Sequence, residues 1–307
     1  MRLSSLLCAS VLLACGRATS PFAGASGPVG YGVPSGGHPD YPERAVLALS
    51  NAMRMAPADF KAKWAAGDLG SALGSAYPAV APLRWNAELG ESAWAHSEDM
   101  ATTPCFQHNS CDGTVWSTRI ASYYTLSSAM GENIAAGYPT PDAVLFAWAC
   151  DGTNGACAPD GDGDGHRANL MSGSWQALGV GYYQGGSGPY GEYFTQDFGG
   201  KADGTSPPLV DGSHDLVAGG NTRFFANYYD AAAPQSVALE LDGTTIPMAI
   251  ALGTAAMGSY AVEETSGTGC RSYAFVAVDA GGVSWRYPAS GTLRTYGEGS
   301  CSDDYVP

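Results

Sequence analysis

Apolar residues recur at Val46, Leu49 and Met53, three and four positions apart, which predicts a helix over residues 45–55 with one apolar stripe, ended by Pro57. Leu89, Ala93, His96 and Met100 repeat at four, three and four, predicting a second helix over 87–102. His96 shares its apolar face and is therefore expected to fill the core rather than to act. A third helix is predicted over 142–150 after the Pro-Thr-Pro at 139–141, with Val144 and Trp148 on one face. Strand-like runs follow at 177–183 and 192–198. Beyond Gly200 and a DGTSPP linker at 203–208, short alternating segments replace the helical spacing. Asp242-Gly243 separates 237–241 from 246–250, and Gly281-Gly282 separates 273–278 from 283–287, both hairpin signatures. Residues 209–307 thus read as a second domain, an Ig-like β-sandwich without a catalytic motif.

The first residues, MRLSSLLCASVLLACG, place Arg2 ahead of an apolar stretch over 3–14 that is too short to span a bilayer as a helix, which reads as a secretory signal. Leu12-Leu13-Ala14-Cys15 resembles a bacterial lipobox. That resemblance implies a signal peptide over 1–15 and a lipidated Cys15 as membrane anchor; the alternative is a soluble secreted protein cut near Ala18. Residues 16–42 are Gly-, Pro- and Ser-rich without apolar periodicity, as a tether would be. The expected location is extracytoplasmic: a bacterial cell-surface or outer-membrane lipoprotein, or a secreted protein.

Composition sharpens this picture. The 307 residues carry 14 Lys and Arg against 29 Asp and Glu, a formal charge of −15, and this repels phosphate and excludes nucleic acid as an expected partner. Charged residues make up 14% of the chain and glycines number 42, a balance that favours loops and strands over long solvated helices. Apart from Cys8 and Cys15, six cysteines remain. They allow 15 pairings, of which Cys105–Cys111, Cys150–Cys157 and Cys270–Cys301 are the sequence-local ones in an oxidising compartment.

A distributed set of motifs then appears in order: LxLxNxxR at 47–54, LRWNAEL at 83–89, AHSEDMA at 95–101, FQH at 106–108, Arg119-Ile120, GENIAAG at 131–137, GHRANLM at 165–171, LGVGYY at 178–183 and FTQDFG at 194–199. Together they resemble the CAP superfamily of cysteine-rich secretory, antigen 5 and pathogenesis-related proteins, in its bacterial form, over residues 43–202. The resemblance implies an α+β fold: a CAP-type α-β-α sandwich with a central antiparallel sheet and a cleft, here followed by the all-β sandwich. It also implies a cleft cluster of two histidines and two carboxylates, matched here by His108, Glu132 and His166. The fourth member is missing, because the segment expected to carry it, AVLFAW at 143–148, has no acid.

Two imidazoles and a carboxylate suit a zinc-type ion, and a His–Glu pair suits general base work, although the HExxH spacing is absent. A deaminase reading of His96-Ser97-Glu98 fails for want of a later P-C-x-x-C, and no intact G-x-S-x-G supplies a nucleophile. Asp160, Asp162 and Asp164 with Gly165 match the first half of an EF-hand-type calcium loop, but position twelve is Met171. Arg119 and Arg167 either orient Glu132 or a bound carboxylate, or pair with structural acids. Tyr182, Tyr183, Tyr190, Tyr193, Phe194 and Phe198 are expected to feed the core in preference to a groove. Calcium and zinc are the candidate ions, and no organic cofactor is expected. What the resemblance implies is an extracellular module for a lipid, sterol-like or protein ligand; the alternative is a metal-assisted hydrolase using His108, Glu132 and His166, and the sandwich could also serve adhesion.

Overall fold

The computed structural model describes residues 39–298, apart from 66, 153–155 and 205, together with 304–306. The lipobox with Cys15, the tether up to residue 38 and Cys301 lie outside the described residues. The first half runs α1 (Tyr41–Met55), α2 (Pro57–Lys63), β1 (Arg84–Trp85), α3 (Ala87–Thr102), α4 (Trp116–Tyr123), β2 (Met130–Ala136), α5 (Pro141–Cys150), α6 (Gly165–Met171), β3 (Ala177–Gln184) and β4 (Glu192–Gly199). Its sheet has the order β1-β3-β4-β2, antiparallel except for the parallel β1–β3 edge. Helices α3 and α4 cover one face and α1, α5 and α6 the other, giving the α-β-α sandwich.

Alternation along β3 and β4 explains the layering. Leu178, Val180, Phe194 and Phe198 point to the α1 side and join its apolar cluster. On the other side β3 presents Gly179 and Gly181, where a Cβ would lie 2.1 Å from the backbone of Leu89–Gly90 and of Trp94. The LGVG run therefore lets α3 settle directly on the strand. Of the aromatic set, Tyr182, Tyr183, Tyr193, Phe194 and Phe198 are buried as expected, and only Tyr190 stands out at 43% exposed.

The second half contains β5 (Leu209–Val217), β6 (Asn221–Tyr229), β7 (Ser236–Leu241), β8 (Thr244–Pro247), β9 (Ala249–Gly253), β10 (Met257–Thr265), β11 (Ser272–Val278), β12 (Ser284–Tyr287), β13 (Thr292–Arg294) and β14 (Tyr305–Val306). One sheet has the order β5-β6-β10-β9; the other is β14-β13-β11-β7-β8, with β12 also on β11. Phe224, Tyr228, Leu239, Tyr273 and Phe275 fill the space between them. Asp242 and Gly243 both take positive φ, 47° and 79°, as a two-residue hairpin turn requires. The single strand expected over 246–250 is instead divided. β8 ends at Pro247 and stays beside β7, while β9 crosses to β10.

The first helix departs most from expectation. It begins at Tyr41, so the tether boundary at 42 falls inside α1; Asp40 caps it, its N–H bonding Glu43 Oε2 at 3.2 Å, and Pro42 lies in the first turn. Where one buried stripe was expected, all fifteen residues are buried. The sandwich covers the far side: Arg44 donates twice to Asp304 at 2.7 Å, Asn51 donates to Asp211 at 2.6 Å, and Asn227 donates to the Ala48 carbonyl at 2.8 Å. Phe225 and Leu252 of the sandwich belong to the same apolar cluster as Val46 and Met53. Among the described residues no helix is long and apolar enough to cross a membrane.

Candidate functional site

The most organised polar site lies on the α3 side of the sheet. Glu132 of β2 sits opposite Asp197 of β4, and both side chains turn toward α3 and α4. One Glu132 oxygen pairs with His108 Nδ1 at 2.8 Å; the other receives Arg119 in a buried ion pair. A carboxylate accepts, so Nδ1 of His108 carries the proton. The ring is half exposed (50%), and among the described residues no protein group bonds its Nε2.

His108 is held by its loop. Cys105 and Cys111 close a disulfide around residues 106–110, and the Cys111 N–H bonds Asp99 at 2.7 Å. Arg119 donates to the His108 carbonyl and to Ser110 Oγ, both at 3.1 Å, and His96 Nε2 meets the Gln107 carbonyl at 3.0 Å. Arg119 thus orients both Glu132 and the histidine that Glu132 holds. His96 is fully buried, as its stripe predicts, and burial lowers its pKa to about 4, with the Glu132 charge opposing. The neutral ring serves as a strut beneath the loop. Phe106 of the same loop, 46% exposed, meets Tyr190 edge-to-face at 5.8 Å.

Asp197 is the residue that sequence reasoning passed over. It is fully buried and accepts from Ser92 Oγ at 2.7 Å. Burial first, then the adjacent Glu132 charge, push its carboxyl well above the usual range, while Arg119 opposes. The signal was available: Tyr193, Thr195 and Asp197 alternate onto one face, which places an acid inside the layer.

His166 joins a different pair. Its Nδ1 meets Asp151 Oδ1 at 2.6 Å, and its backbone N–H donates to Asp151 Oδ2 at 2.7 Å. Asp151 caps α5 in the left-handed region, φ 48°, three residues beyond the segment expected to supply the fourth member of the cluster. Two His–acid pairs thus replace the expected zinc-type set of His108, Glu132 and His166. Both Glu132 oxygens are engaged and Nδ1 of His166 is taken. Among the described residues no three His, Cys, Asp or Glu side chains converge as metal ligands.

The calcium-type loop is also arranged otherwise. Asp160 accepts from the Leu73 and Gly74 N–H groups and pairs with Arg167 Nε at 3.2 Å. Asp164 receives Tyr77, the Gly161 N–H and Arg167 Nη2. Asp162 is exposed. Arg167, fully buried, also donates to the carbonyls of Ala149, Cys150, Ala158 and Pro159 at 2.7–3.1 Å. Its guanidinium stands where the spacing suggested a calcium ion, and the carboxylates left over do not fit one. Cys150–Cys157 is formed beside it, and Cys270 is disulfide-bonded.

In comparison with known proteins, residues 47–198 match the model of the cysteine-rich secretory protein family, CAP. Bacillus subtilis (strain 168) has an uncharacterized protein, YkwD, that is 32% identical over 120 residues, 39% of this chain and 40% of that protein. The uncharacterized membrane protein YlbC of the same organism is 29% identical over 119 residues, 39% of this chain and 29% of the relative. The chain therefore spans well under half the length of these curated relatives. Among solved structures, an extracellular SCP-domain protein from Bacillus anthracis is 28% identical, with a TM-score of 0.31 over 39% of this chain and 34% of that one. Schistosoma mansoni venom allergen-like protein 4 is 15% identical, with a TM-score of 0.33 over 51% and 86%.

Proposed function

We propose that this chain, whose residues 47–198 match the model of the cysteine-rich secretory protein family, is an extracellular ligand-binding module whose site is built around His108. One observation carries the reading: a half-exposed imidazole fixed from behind by buried Glu132, which leaves Nε2 as an acceptor facing outward. Such an acceptor takes a hydroxyl or N–H donor, and Phe106 of the same loop, packed on Tyr190 of the β3–β4 connection, adds an aromatic surface. A lipid or sterol-like ligand with one polar group matches that combination, as does a protein side chain. Disulfides at Cys105–Cys111 and Cys150–Cys157 agree with an oxidising compartment, and we place the protein at the cell surface, held by lipidated Cys15, or secreted.

The test is native mass spectrometry of the chain purified without chelator from a bacterial host. A small-molecule adduct that disappears in His108→Ala is expected. An adduct that persists in His108→Ala refutes the site, while a zinc-mass adduct lost in a His108/His166 double substitution would assign the metal-assisted hydrolase. A Cys15→Ala chain still found in the membrane fraction would overturn the lipid anchor.

A further inference from the structure

A cleft of about 800 Å³ opens between the two halves of the chain, on the side of the sheet away from His108. Its first wall is the β1 edge and the turn before β3, with Arg84, Trp175 and Gln176; its second wall is the end of β6 and the start of β10, with Tyr229, Asp230 and Met257. Trp175 stacks at 6.1 Å on Phe198, which belongs to the α1 face, so this cleft is separate from the His108 site. This volume falls in the range of small-ligand sites.

The polar groups in this cleft are unevenly satisfied. Arg84 Nη1 donates to the Pro207 carbonyl at 2.7 Å, which fixes the guanidinium, but among the described residues no carboxylate forms an ion pair with it. The charge of buried Asp211 acts on it only from a distance. This leaves a half-buried cation without an acid partner in a chain of net charge −15. The Trp175 indole N–H is buried and, among the described residues, has no acceptor. Across the cleft, both Asp230 oxygens are occupied, Oδ1 by the Ala231 N–H at 2.7 Å and Oδ2 by Tyr228 OH at 3.4 Å. Tyr229 is 36% exposed.

We propose that this cleft binds an acidic oligosaccharide, Arg84 receiving a sugar carboxylate while Trp175 and Tyr229 carry pyranose faces. The planar fork of Arg84 matches a carboxylate bidentately, and Asp230 repels it from the opposite wall, which fixes the ligand's polarity. Gln176, exposed at the rim, offers an amide to ring hydroxyls. The inference is independent of the His108 reading.

Isothermal titration of the full chain with trigalacturonic acid, a hyaluronan tetrasaccharide and sialyllactose, against maltotriose and lactose as uncharged counterparts, tests it. At least one acidic probe is expected to bind with a Kd below about 1 mM, weakened about tenfold or more by Arg84→Met and by Tyr229→Ala and unchanged by His108→Ala. Tyr229→Ala keeps the test open if Arg84→Met fails to fold, because that side chain lies at the surface. Absence of binding by every acidic probe at about 5 mM, equal binding of the uncharged sugars, or variants that bind as the parent does would each overturn the proposal.

Discussion

Replacing Arg167 by Met tests whether a side chain has taken the part of a bound cation. The guanidinium pairs with Asp160 and Asp164 at 3.2 and 3.1 Å and serves four carbonyls of two separate segments, 149–150 and 158–159. Removing one partner of a buried ion pair costs about 3–5 kcal/mol, because the remaining charge is left uncompensated. The two carboxylates here are 15% and 7% exposed, so water reaches them in part and the lower end, about 3 kcal/mol, applies. At about 2–4 °C per kcal/mol for a domain of this size, the melting temperature of Arg167→Met should fall by about 6–12 °C. Differential scanning calorimetry in calcium and in EDTA reads both halves of the argument. The parent chain should melt at the same temperature in each, since the three aspartates have no vacancy for an ion. A parent chain stabilised by calcium, with the gain abolished by Asp162→Ala, would refute the assignment, as would an Arg167→Met loss below about 1 kcal/mol.

Other substitutions separate struts from contact groups. Glu132→Ala should cost about 3 kcal/mol by leaving buried Arg119 unpaired, whereas half-exposed His108→Ala should cost under about 1 kcal/mol; urea titration distinguishes them. Asp211 has its carboxyl raised to about 6, by burial against the opposing Asn51 and Asn227 bonds. The folded state therefore holds this proton more tightly, and stability declines by about 3 kcal/mol as pH rises from about 4 to 6, a slope that Asp211→Asn removes. His96 works in the opposite sense: with its pKa lowered to about 4, stability is complete above about 6.5 and falls as pH drops toward 4, and His96→Gln should flatten that limb of a pH-stability curve. Changing Cys105 and Cys111 to serine should cost about 2 kcal/mol and abolish the His108-dependent adduct, measured by calorimetry and native mass spectrometry; an unaltered adduct would show that the loop needs no staple.

Elements whose partners lie close in sequence, or whose packing is a simple face, were legible. The four-and-three spacing of Leu89, Ala93, His96 and Met100 returns as α3, and Asp242-Gly243 returns as a tight turn. The far side of α1 was not legible, because Arg44 and Asn51 reach polar partners in the sandwich 260 and 160 positions away and carry no local hydrophobic signal. The aspartate loop misled for a related reason. Its carboxylate spacing suits calcium, but the cation is supplied by Arg167 just beyond it, and the sequence sign was Met171 at the closing position. The site itself was half readable: His108 and Glu132 come together as their motifs suggest, whereas His166 finds its acid at Asp151, outside the segment searched. Asp197 was within a recognised motif, yet only the β2–β4 register shows it facing Glu132.

The enclosure of α1 has a bearing on how the chain comes to be folded at all. Its polar partners in the sandwich lie 160, 179 and 260 positions downstream, so the far side of the helix is covered only after that long stretch has followed it. Closing such spans costs little extra free energy per added residue but slows the search. A chain emerging from a ribosome or an export channel carries α1 with Arg44, Ala48 and Asn51 uncovered until the strands around Asp211, Asn227 and Asp304 have emerged. Synthesis must therefore pass Asp304 before α1 is fully sheltered, and resistance to proteolysis should arrive abruptly, at the end of that wait.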